Sequence, residues 1–239
     1  MFLEKSGRLL FRWRSFTPVP LLIVAGLLAW RSRGPASPAW LVAGLALCVT
    51  GQALRAWVLG QVPDGTSGQN EKLIATQLNT HGPYAFTRNP LYLGNLGIVL
   101  GLCLIAHDPL LLVIVAALFA LQYRAIIAAE EGFLRDRFGP QFDDYCSKVP
   151  RFWPRIRGHP ADFREWDWRR ALRKEHNPAA AWIALAIVLV ALDHQRKWPY
   201  AIALAVTGAV WLSIKGWKHR WLKGGFTEDL RRRLRETAR

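Results

Sequence analysis

Cysteine is scarce and follows no pairing pattern. The 239 residues contain Cys48, Cys103 and Cys146, far apart and outside any Cys/His ligand spacing. That excludes a disulfide framework and a structural zinc site, so no metal is expected and the three thiols are read as packing residues. A G-x-G-x-x-G turn is also missing, and with it a soluble dinucleotide-binding unit. No repeat of roughly 20 to 50 residues is visible, and the two halves do not echo one another, which counts against an inverted-repeat transporter. Acidic residues are few: 17 Asp and Glu stand against 32 Lys and Arg, for a net charge of +15.

What the chain has instead is apolar length. Hydrophobic residues make up 51% of the sequence and 12 are Trp, and the basic residues collect at the ends of apolar runs. That alternation suits anionic lipid headgroups and argues against nucleic acid. The expected fold is all-α, a polytopic transmembrane bundle of about six spans. The spans fall at residues 16–30, 38–60, 91–106, 109–129, 178–192 and 199–214. The first, short and behind a basic start, lacks an A-x-A cleavage site and is read as a retained helix. Residues 162–175 read as a separate amphipathic helix lying in the interface, and 215–239 as a basic surface helix. Three regions result: 1–37 with the first helix, a core at 38–157, and 158–239 with the last helix pair. With the N-terminus inside, 26 of the 32 Lys and Arg lie in inner segments. The exceptions are Arg31, Arg33, Arg196 and Lys197 outside, and Arg55 and Arg124 within spans. Both termini are therefore expected on the cytoplasmic side.

One polar stretch, residues 81–95, runs straight into an apolar helix. Pro83 makes Gly82-Pro83-Tyr84 a turn. Asn89-Pro90 is a helix start, since Asn is a good N-cap and Pro is favoured at the first helical position. Gly94, Gly97 and Gly101 share one side of that helix and permit close approach. Arg55, Asn95, Gln122 and Arg124 fall at a common depth, about 8 to 10 Å below the inner interface at 1.5 Å per residue. For Arg55 and Arg124, snorkelling to the headgroups and a pocket role both remain open.

A second stretch follows the next apolar helix: Glu130, Glu131 and Leu134, then Phe138-Gly139, Tyr145, and Val149-Pro150-Arg151-Phe152. With Gly82, Pro83, Tyr84, Arg88, Pro90, Tyr92 and Gly94 before it, the chain resembles the superfamily of isoprenylcysteine carboxyl methyltransferases and phospholipid methyltransferases, integral membrane enzymes. The resemblance covers about residues 38–156. Asn89 stands where the family usually has His, and Phe142 where it usually has Tyr.

That resemblance implies S-adenosylmethionine as cofactor, and a membrane lipid or lipidated acceptor met at the cytoplasmic leaflet. Nothing points to nucleic acid, and an oligomer is possible but not indicated. The implied cofactor-binding residues are Gly82, Pro83, Tyr84, Arg88, Asn89, Pro90, Tyr92, Glu130 and Glu131. The candidate catalytic residues are Glu130, Arg151 and Asn89. Glu130 and Glu131 are about 100° apart on a helix, so one can face the pocket while the other meets solvent or Arg. Arg151 is assigned to an anionic group of cofactor or acceptor. Asn89 can bind but cannot transfer a proton as His does. The acceptor stays open among a lipidated cysteine carboxylate, a phospholipid amine and a lipid phosphate. The rival readings are a non-catalytic lipid-binding or scaffold protein of the same fold and a small transporter.

Overall fold

The computed structural model describes residues 37–63, 75–155, 162–192, 194 and 196–237, with side chains assigned only as far as Lys218 in the last helix. Among these residues there are six α-helices and no strand. They are α1 (Pro38–Gln61), α2 (Pro90–Ile105), α3 (Pro109–Phe138), α4 (Pro140–Lys148), α5 (Trp168–Leu192) and α6 (Trp198–Thr237). A single 3-10 turn, Gly82–Ala85, precedes α2. Helices α1, α3, α5 and the first half of α6 are long and apolar enough to cross a membrane. Their outward faces carry large apolar side chains such as Val42, Val49, Val113, Leu121, Ile202 and Val210. The described residues form the all-helical fold of an integral membrane protein. The expected span at residues 16–30 lies outside the described residues, as does most of the basic tail's side-chain detail.

The core is built on α1 and α2, whose mutual contact is the most extensive among the described residues. Glycines make it possible. A Cβ on Gly44 would lie 2.6 Å from the Gly101 carbonyl oxygen, and one on Gly51 2.5 Å from that of Gly94. The small-residue side of α2 read from the sequence is therefore in use, and Gly44 and Gly51 on α1 complete it. Cys48 sits between them, fully buried with Ile98, Leu102 and Ile105, and α5 closes this cluster with Ala186 and Leu189.

Helix α2 has only 16 residues, about 24 Å at 1.5 Å per residue, short of the roughly 30 Å hydrocarbon thickness. Helix α3 starts at a well-formed cap: the Asp108 carboxylate accepts from the Leu111 N–H at 3.0 Å, after His107 turns the chain at φ 54. It runs nine residues past the expected end at Ala129, to Phe138, so Glu130 and Glu131 lie within a helix. Gly139, at φ 51, then turns the chain into α4.

The separate interfacial helix expected at 162–175 does not form. Residues 162–167 form a strap without regular secondary structure, and α5 begins at Trp168 and continues through Pro178 to Leu192. Asp167 caps it, its carboxylate accepting from the Arg170 N–H at 3.0 Å. The strap crosses the end of α1. The Trp166 indole N–H donates to the Ala56 carbonyl at 3.2 Å, and the Asp167 N–H to that of Gly60 at 3.0 Å. Burial of Glu175 and His176 inside the bundle overrides the break that Pro178 and the charged run suggested. The basic surface helix expected after residue 214 is likewise continuous with α6.

Candidate active site

The two motif-bearing stretches meet at one end of the bundle and are stitched together by their backbones. The Arg88 N–H donates to the Pro150 carbonyl at 2.9 Å, and the Arg155 N–H to that of Phe86 at 3.0 Å. The Thr87 hydroxyl donates to the Phe152 carbonyl at 2.8 Å, and the Tyr145 hydroxyl to that of Tyr84 at 2.8 Å. Val149, Phe142 and Tyr145 form a buried cluster beneath this seam. Phe142 is thus a core residue, and its missing hydroxyl leaves nothing unsatisfied.

Gly82 has φ +57, the left-handed region in which a side chain would be strained, and a Cβ there would stand 2.4 Å from Gln61 Oε1. Pro83 and Pro90 are buried beside it and at the first turn of α2. Asn89 occupies the N-cap position but does not cap with its side chain. Its amide Nδ2 instead donates to the Arg151 carbonyl at 2.7 Å, so at this position Asn acts as a clamp between the stretches.

The paired glutamates have separate partners. Glu131 is buried and binds Arg88 Nη1 at 3.1 Å. Arg151 approaches it in a fork, with Nε donating to Oε1 at 3.1 Å and Nη2 to Oε2. That hydrogen bond pushes the Arg151 pKa further up. Arg151 is therefore engaged with Glu131, whereas the sequence reading aimed it at cofactor or acceptor. Glu130, one position earlier, accepts from the Tyr92 hydroxyl at 2.7 Å. Tyr92 also meets the edge of the Tyr123 ring, centroid to centroid 4.7 Å, and Tyr123 stacks on Phe119 at 3.9 Å.

Tyr84 and Glu130 belong to the same cluster. Burial pushes the Tyr84 hydroxyl pKa well above its usual range, and the neighbouring Glu130 charge adds to the rise, while Arg55 opposes it. Arg88 also donates from Nη1 to the Cys146 sulfur at 2.6 Å. Its Nε is buried with no hydrogen-bond partner among the described residues. A spare buried guanidinium donor beside a helix start fits a carboxylate, such as that of a methionine moiety.

Of the residues found at a common depth, Arg55 and Asn95 do meet: Arg55 Nη1 donates to Asn95 Oδ1, and Asn95 Nδ2 to the Tyr123 hydroxyl at 2.9 Å. Arg124 does not join them; it is exposed on α3. Sequence reasoning missed Glu175, which pairs with Arg55 at 2.7 Å; one carboxylate in a charged run carries no sign of burial. Among the described residues no group of three or more His, Cys, Asp or Glu is placed to hold a metal.

Residues 39–141 match the family model for phospholipid methyltransferases. The core of this chain is thus similar to the phospholipid methyltransferase family. The motif resemblance to that superfamily is thereby supported by a second route. The chain is 42% identical over 82 residues to a nickel-cobalt-cadmium resistance protein of Alcaligenes xylosoxydans xylosoxydans, covering 34% of this chain and 38% of that protein. It is 31% identical over 145 residues to a cobalt-zinc-cadmium resistance protein of Cupriavidus metallidurans, covering 61% of this chain and 55% of the relative. Similarity to a protein-S-isoprenylcysteine O-methyltransferase of Tribolium castaneum is 31% over 123 residues, or 48% and 42% of the two chains. The chain thus spans between 38% and 55% of the length of these curated relatives. No solved structure matches.

Proposed function

We propose that the protein is an S-adenosylmethionine-dependent methyltransferase acting on a lipid-linked or amphipathic acceptor at the cytoplasmic leaflet. One observation supports this above the others: the first stretch meets the second through polar and charged side chains at one bundle end, Tyr92 donating to Glu130 and Arg88 pairing with Glu131. The family match of the core and the isoprenylcysteine methyltransferase among its relatives point the same way. The excess of basic residues in the segments at that end favours the cytoplasmic side.

When bound, S-adenosylmethionine supplies an electrophilic methyl on a sulfonium. The chain's own residues hold and align it. Arg88 Nε receives the carboxylate, Glu130 offers an anion to the amino or ribose groups, and the rings of Tyr92 and Tyr123 present π faces suited to a cation. Arg151 and Asn89 fix the second stretch against the first, so that water is kept from the reacting atoms.

The acceptor is narrowed by what the cluster cannot do. Asn89 does not take up a proton, and the raised pKa of Tyr84 keeps its hydroxyl protonated. An acceptor whose lone pair is already free at neutral pH, a carboxylate or phosphate oxygen, suits this site better than an ammonium. The test is incubation with methyl-labelled S-adenosylmethionine and a total lipid extract. Label in an ester-type lipid product with wild type, absent with Glu130→Gln, is the expected result; no labelled product with wild type contradicts the proposal.

A further inference from the structure

Glu175 lies on α5, outside the family-matched residues 39–141, yet it is among the most buried charged groups described, 4% exposed. It accepts from Arg55 Nε at 2.9 Å and Nη2 at 2.7 Å, and from Gln52 Nε2 at 2.7 Å. The Trp182 indole N–H, also on α5, orients Gln52 by donating to its Oε1 at 2.9 Å. The ion pair is therefore saturated from two helices, the condition under which a buried charge pair is sustained.

The chain of contacts continues toward the candidate active site. Arg55 donates to Asn95, which lies one helical turn from Tyr92 on α2, a spacing that brings side chains to about 5 to 6 Å. Asn95 holds the Tyr123 hydroxyl, the Tyr123 ring supports that of Tyr92, and Tyr92 holds Glu130. Asn95, Tyr123 and Tyr92 thus link the Arg55 guanidinium, which cannot be deprotonated, to Glu130. Left alone, Arg55 would be a fixed cation beneath a site that must accept a sulfonium.

We propose that Glu175 is a positioning residue that balances the charge of Arg55, so that the site accepts the cationic methyl donor and the C-terminal helix completes a site the family core does not close by itself. The inference rests on the methyltransferase reading above. One uncompensated unit charge, at an effective dielectric near 20 and a separation on the order of 10 Å, changes affinity for a cation by roughly tenfold. The same charge leaves affinity for a neutral thioether of identical shape nearly unchanged.

The experiment is calorimetric titration of the full chain in nanodiscs with S-adenosylmethionine and, separately, S-adenosylhomocysteine. Glu175→Gln is expected to weaken the first by roughly tenfold and the second by less than about twofold. The double variant Arg55→Gln with Glu175→Gln is expected to restore the wild-type ratio. Equal weakening of both ligands, or an unchanged ratio, overturns the proposal. Should Glu175→Gln not fold, Arg55→Gln decides: its ratio is expected to move toward S-adenosylmethionine, and no movement overturns the proposal. Wild type that binds neither ligand overturns the methyltransferase reading itself, and this inference with it.

Discussion

The Tyr92 hydroxyl reaches from the first turn of α2 to donate to Glu130 Oε1 of α3 at 2.7 Å, joining the two motif stretches through side chains. A hydrogen bond to a charged group is worth about 1.5–3 kcal/mol. Tyr92→Phe keeps the ring contact with Tyr123 and removes only this bond. It is expected to cost about 1.5–3 kcal/mol of stability and, by releasing Glu130 from its position, to lower kcat/KM for methyl transfer by about tenfold or more. Steady-state kinetics with labelled donor, set beside a melting curve, check both halves.

Glu131 holds both Arg88 and Arg151. Glu131→Ala leaves the Arg88 cation without its counter-charge, a change expected to cost about 3–5 kcal/mol. Arg151→Ala removes a side chain that is 54% exposed while Arg88 stays on Glu131, so about 1 kcal/mol or less is expected. Thermal unfolding in detergent should rank Glu131→Ala far below Arg151→Ala.

The α1–α2 contact predicts a steep glycine dependence. At Gly44 an added Cβ meets backbone oxygen at 2.6 Å, whereas at Gly208 on α6 nothing lies within 4 Å. Gly44→Ala is expected to cost about 1–3 kcal/mol by forcing the helices apart. Gly208→Ala should be neutral or stabilise by about 0.5–1 kcal/mol through helix propensity. Denaturant unfolding of the pair distinguishes close packing from a general intolerance of substitution.

Alkaline titration tests the burial of the tyrosines. The hydroxyls of Tyr84 and Tyr145 are both held above their ordinary value of 10.0, chiefly by burial. In the unfolded chain they lose protons first, so above about pH 10 the native state binds more protons and stability falls as pH rises. Below that pH their contribution is complete. Unfolding free energies measured between pH 8 and pH 11 (roughly the window set by an unperturbed tyrosine) should decline at the alkaline end. The decline should be shallower in Tyr84→Phe.

Much of this architecture was legible because its determinants are local. Asn89-Pro90 and Asp108-Pro109 each begin a helix where the sequence places one, since Pro at the first helical position needs no N–H. The glycines of α2 announced a close neighbour, although not which helix supplied it. The long-range pairings were hidden. Nothing in the spacing of Asn89 and Arg151 distinguishes a cap from a clamp, because the partner carbonyl of Arg151 is set by tertiary folding. Glu175 read as one charge in an amphipathic run; only the buried Arg55 opposite reveals why α5 carries that charge inward. Arg55 and Arg124, alike in depth, parted by exposure, which depth alone does not encode.

Binding of S-adenosylmethionine to the full chain in nanodiscs, followed by calorimetry in wild type, Arg88→Ala and Glu130→Gln, addresses whether the two stretches jointly form one cofactor site. Saturable binding by wild type that is lost or weakened at least about tenfold (roughly 1.4 kcal/mol) in each variant is the predicted result. Undiminished binding in either variant, or none in wild type, would contradict it.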